Sequence, residues 1–208
     1  MILADFGAEV IRVDRSPTAG SRPDPTRDYL ARGKRSIGIN MKDPRGVETL
    51  LALVDKADVL LEPFRPGVMD RLGVGGEAML ARNPDLIYVN ISGYGNSGPY
   101  SDRRVYDPVI QAVTGHVAAQ INPDIPFSDV HRTIVADKST AYTAAQAITA
   151  ALLARERGRA RGQIIDIAMI DAALAFFWSD GMMDRTMLDD PMLGRRGTLA
   201  QAMRVTRC

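Results

Sequence analysis

Apolar positions along the chain alternate between two periods. Short β-branched or alternating runs, VIRVD (10–14), KRSIGINM (34–41), DVLLEPF (58–64) and DLIYVNIS (85–92), have the length and composition of strands. Between them lie stretches with apolar residues three and four apart. Asp43 and Pro44 open one such helix, PRGVETLLALVDKA, and GGEAMLARNP forms another. A further helix is expected over VYDPVIQAVTGHVAA (105–119). The longest pattern, Ala141, Ala144, Ala145, Ile148, Ala151 and Leu152, predicts a helix of about five turns. It closes on Arg155, Arg157, Arg159 and Arg161, which complement its negative end, with Gly158 or Gly162 for the left-handed turn; a solvated basic end is sufficient reason for these arginines. The run Ile164–Ile167 then reads as a buried strand leading into a helix from about Met169. Strand and helix alternate, so the pattern predicts an α/β fold with a mainly parallel sheet.

Two stretches fall outside this rhythm. Residues 1–14 look like the tail of a helix feeding a strand, and 15–32, rich in Pro, Gly and charge, read as an exposed loop. Gly93, Gly95 and Gly98 match GxGxxG after a strand, but Pro99 and YSDRR follow where a dinucleotide site needs a helix N-terminus. The segment is therefore expected to be a Gly-rich loop at a strand's C-terminal end, where open α/β sheets bind ligands.

Asp137 stands where the long helix should begin. There the unpaired N–H groups and the helix dipole favour an ionised carboxylate. One reading makes Asp137 a helix cap; the other makes it a nucleophile that attacks a carbonyl carbon to form an acyl anhydride. Its position alone is compatible with both.

Composition narrows the classes. The 208 residues, 46% hydrophobic and 25% charged, suffice for a globular core, and a net charge of +1 argues against broad nucleic-acid binding. No apolar run reaches the 18 residues of a membrane span, and the N-terminus, with Asp5 and Glu9, does not read as a secretion signal. A single cysteine, Cys208, and two histidines, His116 and His131, give no basis for an internal disulfide or a metal site. These features point to the cytoplasm.

Six ordered stretches, ADFGAEVIRVDR, KRSIGINMKDPRG, ADVLLEPFRPGVMDRLG, NPDLIYVNISGYGNSGPY, VYDPVIQAVTG and VADKSTAYTAAQAITAALLARERGRARGQ, resemble the family III CoA-transferases of the CaiB/BaiF type. That group includes formyl-CoA transferase, carnitine-CoA transferases and α-methylacyl-CoA racemase. The resemblance implies a Rossmann-like, mainly parallel sheet with helices on both faces, forming the large domain over 1–185 and leaving 186–208 unassigned. It implies CoA transfer from an acyl-CoA to a carboxylic acid acceptor, with Asp137 as the nucleophile that takes the acyl group as an anhydride. By the same resemblance Asp107 assists the transfer and Tyr106 lines the substrate pocket; read alone, Asp107 before Pro108 would be a helix cap. Arg15, Ile39, Lys42, Phe64, Arg71 and Arg104 match CoA-contacting positions. Their chemistry suits phosphates and an adenine, although each basic residue taken singly would be read as a solvated charge. Coenzyme A is then a substrate; no covalently bound cofactor and no metal is implied, and the protein partner is a second copy of the chain, interlocked in the full-length family.

Some positions divide the family. Racemases carry a His where Tyr106 stands, and a tyrosine, with an ordinary pKa of about 10, shuttles protons poorly near neutrality. Transferase is therefore expected over racemase. Pro63 stands where formyl-CoA transferase has an Asn, so the resemblance does not carry over the oxalate-type substrate class. Family members begin with a further strand and continue through a second domain, so the chain is expected to be truncated at both ends. The alternatives are a racemase-type enzyme, or an inactive CoA-binding fragment that pairs with a fuller chain.

Overall fold

The computed structural model describes residues 1–15, 29–120 and 129–182. The unassigned stretch 186–208, most of the loop expected over 15–32 and part of the segment before Asp137 lie outside them. The chain divides into two units, Met1–Asn90 with Ala144–Ile165, and Ile91–Thr143 with Asp166–Cys208.

In the first unit, helix α1 (Ile2–Asp5) leads into strand β1 (Val10–Arg15), which pairs in parallel with β2 (Lys34–Ile39) from Val10↔Lys34 to Arg15↔Ile39. Helix α2 (Pro44–Val54) starts as its sequence requires. The Asp43 carboxylate accepts the N–H of Arg45 at 3.0 Å, and Pro44, which has no N–H to leave unpaired, takes the first helical position. Strand β3 (Val59–Glu62), short helices α3 (Val68–Arg71) and α4 (Gly76–Arg82), and strand β4 (Ile87–Ser92) follow. β3 and β4 are parallel, from Val59↔Ile87 to Glu62↔Asn90. The alternation expected from periodicity is thus present, with parallel pairing in both sheets.

Side chains from successive elements close one core: Ile39 of β2, Leu50 and Val54 of α2, Met69 of α3, Met79 of α4, and Leu86 and Tyr88 at β4. Each fully buried aliphatic side chain here contributes roughly 1.5–3 kcal/mol over its exposed state.

Helix α7 (Val135–Glu156) runs through both units, six turns in place of the five expected. Its buried stripe is Ala136, Thr140, Ala144, Ile148 and Ala151, while Ala141 stays exposed. Gly158 takes the left-handed turn after it, with φ +65°. Of the four arginines at this end, Arg157, Arg159 and Arg161 are exposed as expected, while Arg155 and Arg161 also have fixed partners. Arg155 donates to the Asp85 carbonyl at 2.9 Å and the Asp58 carboxylate at 2.6 Å, and Arg161 forks onto the Asp85 carboxylate at 2.9 and 3.0 Å. Gly162 has a different task from Gly158. A Cβ there would lie 2.4 Å from the Leu86 carbonyl oxygen and 2.6 Å from that of Pro84, where strand β5 (Gln163–Ala168) joins the edge of β4.

The second unit holds α5 (Asp107–Val113), α6 (His116–Ala119), the first turns of α7, and α8 (Met169–Phe177). Residues 105–119, expected as one helix, break at Gly115, which takes a left-handed φ of +86° between α5 and α6. Ile110, Ala136 and Ala173 form this unit's buried centre, with Tyr94, Val105, Met169 and Ile170 packed around them. In the Gly-rich loop, Gly95 and Gly98 adopt φ of +89° and +93°, and a Cβ at Gly93 would collide with Val105. No helix begins until Asp107, so the loop offers no helix N-terminus to a pyrophosphate.

Candidate functional site

Two of the expected residues meet in the second unit. Asp137 is the third residue of α7, inside its first turn, so it is not the helix cap that one reading expected. The residue in the capping position is Ile134, whose carbonyl accepts the Lys138 N–H at 3.1 Å and whose side chain can accept nothing. A helix leaves its first N–H groups without internal partners. Here the cap comes from elsewhere: Oδ2 of Asp107, thirty residues earlier, accepts the backbone N–H of Asp137 at 2.9 Å. Asp107 is the first residue of α5, followed by Pro108, and is only 5% exposed. It caps the long helix rather than its own.

Among the described residues, no donor reaches the Asp137 carboxylate. Although Asp137 as a residue is exposed, its pKa stands above the ordinary aspartate value, first because partial burial of the carboxylate penalises the charged form and then because the Asp107 charge faces it. The direction is opposite to the one the helix end alone would give. A carboxylate held in this way is more basic than usual and keeps its lone pairs unengaged, as a nucleophile requires.

Tyr106 immediately precedes Asp107 and is 71% exposed, and Arg104, also exposed, stands two residues before that. Two of the expected positions therefore come from the short extended segment ahead of α5, and a third, Asp107, from its first residue.

Four other expected positions gather at the C-terminal ends of strands in the first unit. Arg15 and Ile39 are register partners at the ends of β1 and β2. Lys42 follows in the turn that leads to α2, its N–H donating to Asn40 Oδ1 at 3.2 Å. Arg15 and Lys42 are exposed. Ile39, however, is a core residue, 5% exposed, so only its backbone is available to a ligand. Phe64 lies just past β3 and is 40% exposed, an aromatic face turned partly outward. Arg71 ends α3 and folds back against the turn at Gly67, whose φ is +74°.

Two residues contribute that sequence reasoning missed. Glu62, buried at 4%, accepts the Phe64 N–H at 2.7 Å and the Tyr88 hydroxyl at 3.3 Å, fixing the turn that carries Phe64. Gln111 is wholly buried and bonded to Asp107. Its spacing of four from Asp107, a pairing distance on a helix, was the one signal for it. Among the described residues, no cluster of three His, Cys, Asp or Glu could hold a metal ion, and no helix is long and apolar enough to cross a membrane.

The chain matches CoA-transferase family III over residues 1–208 and belongs to that family. It is 40% identical over 188 residues to the acetyl-CoA:oxalate CoA-transferase of Acetobacter aceti, covering 84% of this chain and 47% of that protein. Identity to the alpha-methylacyl-CoA racemase of Homo sapiens is 41% over 187 residues, covering 86% and 46%. The crystal structure of a CaiB/BaiF family protein from Brucella suis superposes with a TM-score of 0.78 at 34% identity, covering 86% of this chain and 50% of that one. The chain thus spans about half the length of the curated relatives it matches.

Proposed function

We propose that this chain carries the nucleophile and CoA-recognition part of an enzyme that moves CoA from an acyl-CoA to a carboxylic acid. The observation that supports it most is the Asp107–Asp137 arrangement. Asp107 bonds Gln111 and the backbone N–H of Asp137, while among the described residues nothing donates to the Asp137 carboxylate, whose pKa is raised by partial burial and by the Asp107 charge. That carboxylate attacks the thioester carbonyl; a C–O bond forms, the C–S bond breaks, and CoA leaves as thiolate, giving a mixed anhydride on Asp137. No proton need move in this step. For CoA to reach a new acid, the thiolate attacks the aspartyl carbonyl and expels the donor acid. The acceptor carboxylate then displaces the thiolate from that aspartyl thioester, and CoA finally attacks the acceptor's acyl carbon, releasing Asp137. Tyr106 lines the acyl site in this reading. Arg15, Lys42, Arg71 and Arg104 supply charge-assisted bonds to the phosphates of CoA, and Phe64 an aromatic face for its adenine. The Ile39 backbone borders the same ligand. A cytoplasmic homodimer accompanies the reading, on the strength of the family resemblance.

The near-equal identity to a racemase supports a second reading, in which Asp137 exchanges the α-proton of an acyl-CoA and no acyl-enzyme forms. Tyr106 favours the first, because a phenol is too weak an acid to be its partner near neutral pH. One experiment separates them. The chain is mixed with a panel of acyl-CoA thioesters, quenched with hydroxylamine and analysed by mass spectrometry. A hydroxamate on Asp137, absent from Asp137→Ala, is the result expected; solvent deuterium at the α-carbon with no hydroxamate would establish the racemase instead.

A further inference from the structure

We propose that Gln111 is a positioning residue for the carboxylate pair, fixing the rotation of Asp107 and its distance from the start of α7. The proposal rests on the reading of Asp137 as nucleophile. Gln111 is 0% exposed, and a buried amide costs about 1–3 kcal/mol for each polar group left unpaired, so methionine or leucine would fill this space more cheaply unless the amide were needed. Its partners are Asp107 and the backbone of the segment that enters α7. Nε2 donates to Asp107 Oδ1, to the His131 carbonyl at 3.2 Å and to the Thr133 carbonyl at 3.4 Å. Oε1 accepts the His131 N–H at 2.7 Å.

These bonds have a geometric consequence. By gripping residues 131 and 133, Gln111 ties α5 to the segment that enters α7 at Val135. By occupying Oδ1 of Asp107, it turns Oδ2 toward the N–H of Asp137. Without the amide, both the tether and the rotamer are lost. Asp137 then starts its helix uncapped, and its carboxylate is no longer aimed by a fixed backbone.

The test uses Gln111→Glu and Gln111→Met in the full chain. Glutamate keeps the acceptor for His131 N–H but offers Asp107 no N–H; methionine keeps the length and offers neither. Amide hydrogen exchange is measured residue by residue by NMR, and the rate of hydroxylamine-trapped loading of Asp137 is measured over a range of acyl-CoA concentration. The Asp137 amide should exchange at least about tenfold faster in both variants, with amides 144–152 of α7 unchanged. Loading should slow by roughly 10- to 100-fold at saturation with the half-saturating concentration unaltered, as for a misaimed group. Wild-type exchange at Asp137 in Gln111→Glu would overturn the proposal, as would equal acceleration throughout 144–152, which marks a purely structural glutamine. If the wild-type chain itself loads no acyl group, the transferase reading fails, and the exchange comparison still decides the role of Gln111. Should Gln111→Met fail to fold, Gln111→Glu carries the decision alone.

Discussion

The strand ends of the first unit and the carboxylate pair of the second are assembled in different ways. Arg15 and Ile39 are neighbours because two parallel strands pair in register, and Lys42 follows through a short turn into α2. Backbone hydrogen bonds make that arrangement, without the side chains of Arg15 or Lys42. Asp107 and Asp137 are aligned by one side chain that bonds a backbone group thirty residues away, with Gln111 tying Asp107 to the segment that enters α7, beside the apolar packing of Ile110 and Ala136. Geometry carried by a backbone ladder survives side-chain change; geometry carried by two buried polar side chains does not. Substitutions in the two regions should therefore fail differently.

The largest effect is expected at Asp107. Asp107→Ala removes the cap of α7 and one of the three acceptors of the buried Gln111 amide, so both activity and stability fall. Loading of Asp137 should drop by on the order of 10²–10³-fold. Chemical denaturation should show a loss of about 1–3 kcal/mol, for a lost buried hydrogen bond and a missing cap. Asp107→Asn, which retains one acceptor oxygen and removes the charge, should recover part of the stability but less of the activity. A full-speed Asp107→Ala would show that the pairing has no part in the chemistry.

Next in size is a backbone test in the first unit. At Gly162 an added Cβ meets carbonyl oxygens of Pro84 and Leu86, which belong to the chain entering β4 and cannot rotate away. Gly162→Ala should cost about 1–3 kcal/mol in denaturant unfolding, as overpacking does. Gly158→Ala, where nothing lies within 4 Å but φ is +65°, should cost about 1 kcal/mol from the left-handed backbone alone. Equal losses would mean that the close approach at Gly162 carries no weight.

Smaller still are the exposed cations at the strand ends. Arg15→Ala and Lys42→Ala should each raise the half-saturating acyl-CoA concentration by roughly 3- to 10-fold with the maximal rate intact, an effect that shrinks as salt is added. Circular dichroism and melting temperature should not move, because the ladder that brings these residues together does not involve their side chains. A change in maximal rate would place them in the chemistry instead of in binding.

The same contrast explains what could be read from the sequence. Strands and helices of the first unit were legible because apolar period reports backbone state directly, and Asp43 with Pro44 is a local signature that the structure keeps. The long helix was legible too, although its burial stripe starts at Ala136 and omits Ala141. The place of Asp137 at the start of the long helix was legible, but not the cap there, since nothing in the residues around 137 says that the acceptor lies at 107. Read alone, Asp107 before Pro108 is the cap of its own helix; tertiary structure turned its carboxylate to another. The break at Gly115 was missed because a glycine in an apolar helical pattern is ambiguous until the turn is seen. Arginines 155 and 161 were read as solvated because their carboxylate partners are 97 and 76 residues away.

The smallest effect is the most diagnostic of the carboxylate pair, and its sign can be worked out. The Asp137 pKa is raised in the folded protein by burial and by Asp107, so ionising it opposes folding. That cost is absent below the ordinary aspartate pKa, where both folded and unfolded states hold the proton. It grows as pH rises from there and is complete above the raised value. Asp137→Asn removes the charge and keeps the shape, so the variant should melt slightly higher than wild type at neutral pH. The advantage should shrink toward zero as the medium is acidified through the carboxylate range. Because Asp137 is exposed, solvent screening keeps the gain small. Repeating the comparison in an Asp107→Asn background should reduce it further, since the second cause of the shift is then gone, while burial, the larger cause, remains. A variant less stable than wild type at neutral pH would mean that the helix end stabilises this carboxylate after all, which would return Asp137 to the role of an ordinary first-turn acid.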